Sequence, residues 1–247
     1  MTPSSLLVLL ALAACTRTMD TTDEIFAQDN DERVLCGLGV DSESIALDDI
    51  ENALDRAVEQ QQVVILFAHE PGKTVGYDRI DQILALAERR SVPYVTFPEL
   101  VSRRDRAGLS FGFDDFSVEA WFALRDILQA RGARVTFFVS NFGELDVEQK
   151  AMLHALEEDG HAIEAYGMGH RNAPEYVDTY GLKKYLVDEI DPLLDQMTRD
   201  GFTPTTFAYP YGARTSELDQ ALLERFALLR SLSYLDRSLI NSAPCPY

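Results

Sequence analysis

The stretch Leu109-Ser110-Phe111-Gly112-Phe113-Asp114-Asp115-Phe116 decides how the chain is read. Its apolar run has the length of a buried strand, and it stops on two adjacent aspartates. Neighbouring carboxylates repel each other, and neither is easily held at the mouth of an apolar core without a cation, a proton or a helix N-terminus to compensate it. Two readings are open from this stretch alone. Asp115 or Ser117 caps the helix that follows, or the pair belongs to a site built where the strand ends.

Working outward, the same alternation of apolar run and amphipathic segment recurs on both sides. Upstream, Asp48 and Glu51 make a capping-box-like start to a helix with Ile50, Ala53, Leu54, Ala57 and Val58 at helical spacing. A strand over 63–68 ends at His69. A second helix carries Ile80, Ile83, Leu84 and Ala87 on one face, and a strand over 94–97 and a short helix from Glu99 follow. Downstream, Val118, Trp121, Phe122, Arg125 and Leu128 mark a helix. Strands are expected over 134–139, 161–166, 205–209 and 227–234, with helices over 147–156, 182–197 and 217–226. The strands are apolar along their whole length rather than alternating. That pattern belongs to a parallel α/β sheet covered on both faces, or closed into a barrel. No glycine-rich phosphate loop follows any strand.

In such folds sites form where strands end and the next loops begin. The residues there are His69, Asp114 with Asp115, Tyr166 running on to His170, and Pro210 with Tyr211, all expected on one rim. His161 opens its strand and belongs to the opposite rim, and His154 lies on a helix, so both are expected to be structural or solvated.

With 247 residues, 46% of them hydrophobic, the chain can build one large α/β domain. A net charge of -19 argues against a nucleic-acid or anionic-membrane surface and suits a neutral or cationic partner better. Residues 6–14 are apolar but too short to span a bilayer, which needs about 20 residues, and read as a signal-peptide core. Leu12-Ala13-Ala14-Cys15 resembles a bacterial lipoprotein signal, whose cysteine is lipidated after cleavage. The expected organisation is a leader over 1–15, a polar tether over 16–33 and a folded domain over 34–247. The product is expected to be exported to the periplasm or outer membrane and to meet the membrane only through its lipid. Cys36 and Cys245 remain, and an oxidising compartment permits but does not require their pairing.

Together these residues resemble the polysaccharide deacetylases of the NodB-homology type, carbohydrate esterase family 4, which implies an irregular seven-stranded (β/α) barrel. Phe113-Asp114-Asp115 is similar to the first family motif, which implies Asp114 as catalytic base and Asp115 as a metal ligand. Residues 160–170, GHAIEAYGMGH, are similar to the second, in which two histidines four apart bind the metal. His170 takes one of those positions and Tyr166 stands in the other. Residues 208–212, AYPYG, are similar to the third, which implies Pro210, Tyr211 and Gly212 along the substrate groove, with the Tyr211 amide on the oxyanion. The family's arginine position in that motif holds Ala208.

The histidine that the family carries near its C-terminus resembles His69, upstream of the first motif, so the resemblance implies a circular permutation. New chain ends near Cys36 and Cys245 would make a disulfide there a clamp. The implied function is hydrolysis of N-acetyl or O-acetyl groups from a cell-envelope or extracellular polysaccharide, with a divalent metal, zinc being the expected ion, and His69 protonating the leaving amine. A carbohydrate-binding lipoprotein of the same fold with impaired catalysis is the alternative. Tyr166 separates the two, because a phenol ionising near pH 10 is a poorer ligand at neutral pH than imidazole.

Overall fold

A computed structural model describes residues 18–234 and Cys245. Eight strands form one sheet: β1 Phe26–Ala27, β2 Val34–Gly39, β3 Val63–Ala68, β4 Gly108–Asp115, β5 Thr136–Val139, β6 Ala162–Ala165, β7 Thr206–Ala208 and β8 Leu228–Ser233. Leaving aside the short β1, which pairs antiparallel with β3, the other strands are parallel and run in the order β3-β2-β8-β7-β6-β5-β4. Pairing of β3 with β4 from Val63↔Gly108 to Ala68↔Phe113 closes the ring. The result is the expected seven-stranded parallel (β/α) barrel, with β3, the strand that carries His69, directly beside β4.

The period of two along each strand sorts residues between two cores. On β4, Leu109, Phe111 and Phe113 face the surrounding helices, and Ser110, Gly112 and Asp114 face the barrel interior. The helices α1 Leu47–Gln60, α2 Tyr77–Arg89, α3 Val118–Phe122, α4 Arg125–Ala130, α5 Val147–Glu158, α6 Ala173–Tyr180, α7 Leu182–Tyr185, α8 Asp191–Arg199 and α9 Ser216–Leu222 connect the strands. Their apolar stripes, for example Ile80, Ile83, Leu84 and Ala87 of α2, are buried in the outer core. The floor of the barrel is plugged by Val95, Phe97 and Leu100 against Leu35, Val63 and Ile65.

Several expectations are corrected. Residues 94–97 are not a barrel strand: Tyr94 makes a single bridge to Leu109, and a 3-10 turn begins at Phe97. Pro93 and Pro98 flank the segment and remove two amide donors, so it crosses beneath the barrel as the plug. The seventh strand is β2 instead, hidden from an apolar scan by Gly37 and Gly39. Both glycines face the Phe67 ring, and a Cβ on either would lie 3.1–3.2 Å from it.

Residues 18–33 are not a tether, because Met19, Ile25, Phe26 and Ala27 are buried and β1 fills the gap where β2 and β3 diverge. The α1 N-terminus is closed by Asp49, which accepts from the Ala46 amide at 3.3 Å, rather than by Asp48 and Glu51. The long helix expected over 182–197 is broken by a widened turn over Leu186–Ile190. Cys36 on β2 is disulfide-bonded to Cys245, with Cα atoms 6.0 Å apart. The leader and Cys15 lie outside the described residues.

Candidate active site

The carboxyl ends of β2, β3, β4, β6 and β8 and the turn after β7 open into a cleft of about 780 Å3, lined by Asp41, His69, Asp115, Tyr166, His170 and Tyr211 among others. His69 leaves the end of β3, where the Trp121 indole donates to its carbonyl at 3.3 Å. Asp41, two residues beyond β2, grips it twice: Oδ1 accepts from the His69 amide at 3.0 Å and Oδ2 meets Nδ1 at 2.7 Å. Thr74 donates to Asp41 Oδ1 at 2.6 Å and completes the support.

Burial by itself would lower the His69 pKa. The hydrogen bond with Asp41 and the charges of Asp114, Asp41 and Asp115 outweigh it and raise the pKa to about 9. Burial would raise Asp41, but the hydrogen bonds from His69 and Thr74 prevail and hold its carboxyl below the usual range. At neutral pH His69 is therefore an imidazolium with its Nδ1 fixed, a built proton donor.

Asp115 and His170 form a second pair, with Oδ1 and Nε2 3.2 Å apart. Both have positive φ, 90° and 52°, and so leave the regular path at the rim. Ser117, not Asp115, is the N-cap residue of α3, and it makes no side-chain cap bond. The loop bearing His170 is held by buried Glu189 from the widened turn, whose Oε2 accepts from the Gly169 amide at 2.8 Å. A Cβ at Gly169 would lie 2.9 Å from Glu189 Oε1, so a side chain there would displace the carboxylate that holds the loop.

Asp114 lies inside the barrel with no exposed surface. Its Oδ2 accepts from Arg230 Nη2 at 2.5 Å, and the guanidinium is stacked between Phe67 and Phe138 at 4.6 and 4.8 Å from their ring centroids. Burial pushes the Asp114 carboxyl up, and the charge and hydrogen bond of Arg230 pull against it. Arg230 answers the missing third-motif arginine. Ala208 on β7 and Arg230 on β8 are register partners, so the cation that reaches the carboxylate stands one strand over from the motif position.

Tyr166 is placed differently from a metal ligand. Its ring is buried beside Asp114, and burial, followed by the Asp114 charge, raises its ionisation well above the usual phenol range. It stays neutral. The donors left for a divalent ion are one carboxylate and one imidazole, already paired with each other, and among the described residues no group of three or more His, Cys, Asp or Glu side chains converges. This set does not fit the three-residue site that the resemblance implies.

Pro210 and Gly212 do not line the cleft: both are buried and brace the turn that presents Tyr211. Gly212 has φ +64° and a Cβ there would lie 2.4 Å from Leu232 Cγ, so only glycine closes the turn. Tyr211 itself is 55% exposed, its ring 4.8 Å from that of His170.

His161 and His154 lie away from this rim. His161 accepts from the Val135 amide at 3.2 Å, and burial lowers its pKa to about 4. His154 Nε2 lies 2.8 Å from the Asp200 carbonyl, and its ring stacks on Phe202.

Two residues escaped sequence reasoning. Arg230 is a lone charge inside an apolar run, a signal in itself because unpaired charges are not buried. Asp41 follows a strand that its glycines concealed.

The family profile described as polysaccharide deacetylase matches residues 102–225, half of the chain. The match contains Asp114, Asp115, Tyr166, His170 and Tyr211, while Asp41, His69 and Arg230 lie outside it. No curated protein matches the chain. Among solved structures, IcaB from Ammonifex degensii shares 17% identity at a TM-score of 0.58, over 74% of this chain and 91% of that one. A de-N-acetylase from Aggregatibacter actinomycetemcomitans shares 13% at 0.58, over 68% and 86%. A polysaccharide deacetylase from Bacillus cereus shares 13% at 0.55, over 68% and 57%. At such identities the likeness is one of fold.

Proposed function

The chain belongs to the polysaccharide deacetylase family, and on that premise we propose that it hydrolyses N-acetyl, or alternatively O-acetyl, groups of a cell-envelope or extracellular glycan. We further take it to act after export, in the periplasm or at the outer membrane, as a lipoprotein anchored through Cys15. Among the described residues no helix is long and apolar enough to cross a membrane.

The observation that carries the reading is the His69–Asp41 pair, a fixed imidazolium in the cleft beside a second acid-base pair. Amide hydrolysis needs a proton for the departing amine, an acceptor for the proton of the attacking water, and donors for the oxyanion. His69 supplies the first. Asp114 is the acceptor, reached through Tyr166, which lines the cleft and faces the carboxyl. As water attacks the carbonyl carbon, its proton passes to the phenol oxygen and the phenol proton passes to Asp114. The Tyr211 amide shares the oxyanion. Zinc is the ion the family resemblance implies, and with two donors this chain holds it weakly.

A second reading is favoured by one observation, the complete burial of Asp114 behind Tyr166: a glycan-binding protein with impaired turnover. One experiment separates the two. Acetate release is measured from a panel of N-acetylated oligosaccharides, together with zinc content after loading and buffer exchange. The hydrolase reading expects release that falls about 100-fold or more in His69→Gln. It also expects Tyr166→His to raise bound zinc towards one per chain. No acetate from wild type or Tyr166→His, with oligosaccharide binding intact, establishes the binding protein.

A further inference from the structure

Beside the cleft lies a second hollow of about 750 Å3, whose lining includes Arg171, Asn172, Glu175, Tyr176, Tyr180 and Tyr211. It shares His170 and Tyr211 with the cleft, so the two form one trough past the His170 loop. We propose that this trough is an extended binding site for a linear, uncharged or cationic glycan, with Tyr176 and Tyr180 of α6 as the platform for sugar units beyond the one at His69. The proposal rests on the hydrolase or glycan-binding reading of the same cleft and extends it to substrate length and class.

The chemistry of the surface is that of sugar recognition, apolar ring faces interleaved with hydrogen-bonding groups. Tyr176 and Tyr180 sit one helical turn apart with ring centroids 4.8 Å apart, and Tyr180 is 58% exposed although it is large and apolar-faced. Tyr176 does not need to be ordered by a ligand. Its hydroxyl donates to Asp188, which Lys184 also holds at 2.6 Å, so the ring is fixed beforehand. Asn172 caps α6 through Oδ1 at 3.3 Å from the Glu175 amide, and its amide nitrogen makes no hydrogen bond among the described residues.

Size and charge narrow the occupant. Each hollow falls in the range of about 300–1,000 Å3 that holds one small ligand, so the continuous trough suits several linked units rather than one. Arg171 is ion-paired with Glu189 at 3.7 Å, so Glu175 adds negative charge to the lining, and with the net charge of -19 this disfavours a polyanionic polymer.

The test uses the full chain and two probe series, β-1,4- and β-1,6-linked N-acetylglucosamine oligomers of two, four and six units, with affinity and released acetate recorded on the same samples. In at least one series wild type should gain affinity with length. Tyr180→Ala should lose about tenfold for the six-unit oligomer and little for the two-unit one, and Tyr180→Phe, which keeps the ring, should retain the gain. Absence of any length dependence in both series, or its persistence in a Tyr176→Ala/Tyr180→Ala double variant, overturns the proposal. Length-dependent binding without acetate leaves this inference standing and removes the hydrolase reading.

Discussion

At the rim His69 meets Asp41 at 2.7 Å, with side chains 35% and 22% exposed; inside the barrel Arg230 meets Asp114 at 2.5 Å, with side chains 1% and 0% exposed. Both are cation-carboxylate pairs, the first at the ends of the adjacent strands β2 and β3 and the second across the barrel between β4 and β8, and they do opposite work. At the rim, water screens the pair, so its contribution to stability is small and its value is a proton held ready near neutral pH. In the interior the pair is shut off from bulk solvent and is not screened by it. Removing either member strands a charge. The interior pair is structural first and chemical second, and the rim pair is the reverse.

The largest expected effect tests that division directly. Arg230→Met should cost about 3–5 kcal/mol, because it leaves Asp114 buried without its cation, and the urea midpoint reads it. An Asp114→Asn/Arg230→Met double variant should recover most of the loss. A cost below about 1 kcal/mol, or a double variant no better than the single one, would place the interior pair in the same class as the rim pair.

Glu164 sharpens the comparison because it is an interior acid with no cation. One oxygen accepts from the Thr205 and Thr206 amides at 2.8 and 2.6 Å and from the Thr206 hydroxyl at 3.0 Å. It thus stands in for backbone rungs between β6 and β7, which share one register pair, Ala165↔Phe207. Burial raises its pKa from 4.5 to about 7 against those hydrogen bonds. Between these values the folded chain binds more protons than the unfolded one, so this group makes stability fall as pH rises from about 4.5 to about 7, by about 3 kcal/mol. Thermal melts should show that slope in wild type and not in Glu164→Gln. An unchanged slope would show that the interior is wetter than its packing implies.

The same division decides what the sequence could disclose. Rim chemistry is legible because it sits at strand ends beside turns, where His69, Asp115, His170 and Tyr211 stand, and the barrel follows from seven apolar runs; that Asp114 turns from the rim into the interior is not legible from the motif. The strand count was right for a partly wrong set of strands. Gly37 and Gly39 make β2 look unstructured, and Val95 and Phe97 carry a strand-like composition into a floor plug, because close packing against Phe67 and the flanking prolines act through tertiary contacts. Interior chemistry was missed for a related reason. Arg230 gains its meaning from Asp114 across the barrel and Glu164 from Thr205 and Thr206 at the next strand, and spacing along one strand shows neither partner. Tyr166 was identified as the departure from the motif, but its orientation towards Asp114 is a property of the closed barrel.

The smallest expected effect on stability lies at the rim, where Asp41→Asn removes the carboxylate from His69. With the folded pKa raised above the unfolded value of 6.5, the pair contributes its full stability below pH 6.5 and loses it as pH rises through about 9. Solvent exposure limits that contribution to about 1 kcal/mol or less, so the melting temperature at pH 7 should move little. The titration should move a great deal. Followed by the His69 ring proton in NMR, it should fall from about 9 towards 6.5, and the alkaline limb of acetate release should fall with it, because the leaving amine then loses its donor at a lower pH. Thr74→Val, which removes one donor to Asp41 and leaves the carboxylate in place, should shift the same titration in the same direction by less. If Asp41→Asn leaves the His69 titration near 9, the field of Asp114 and Asp115 alone sustains the imidazolium, and the rim histidine then depends on the interior rather than standing apart from it.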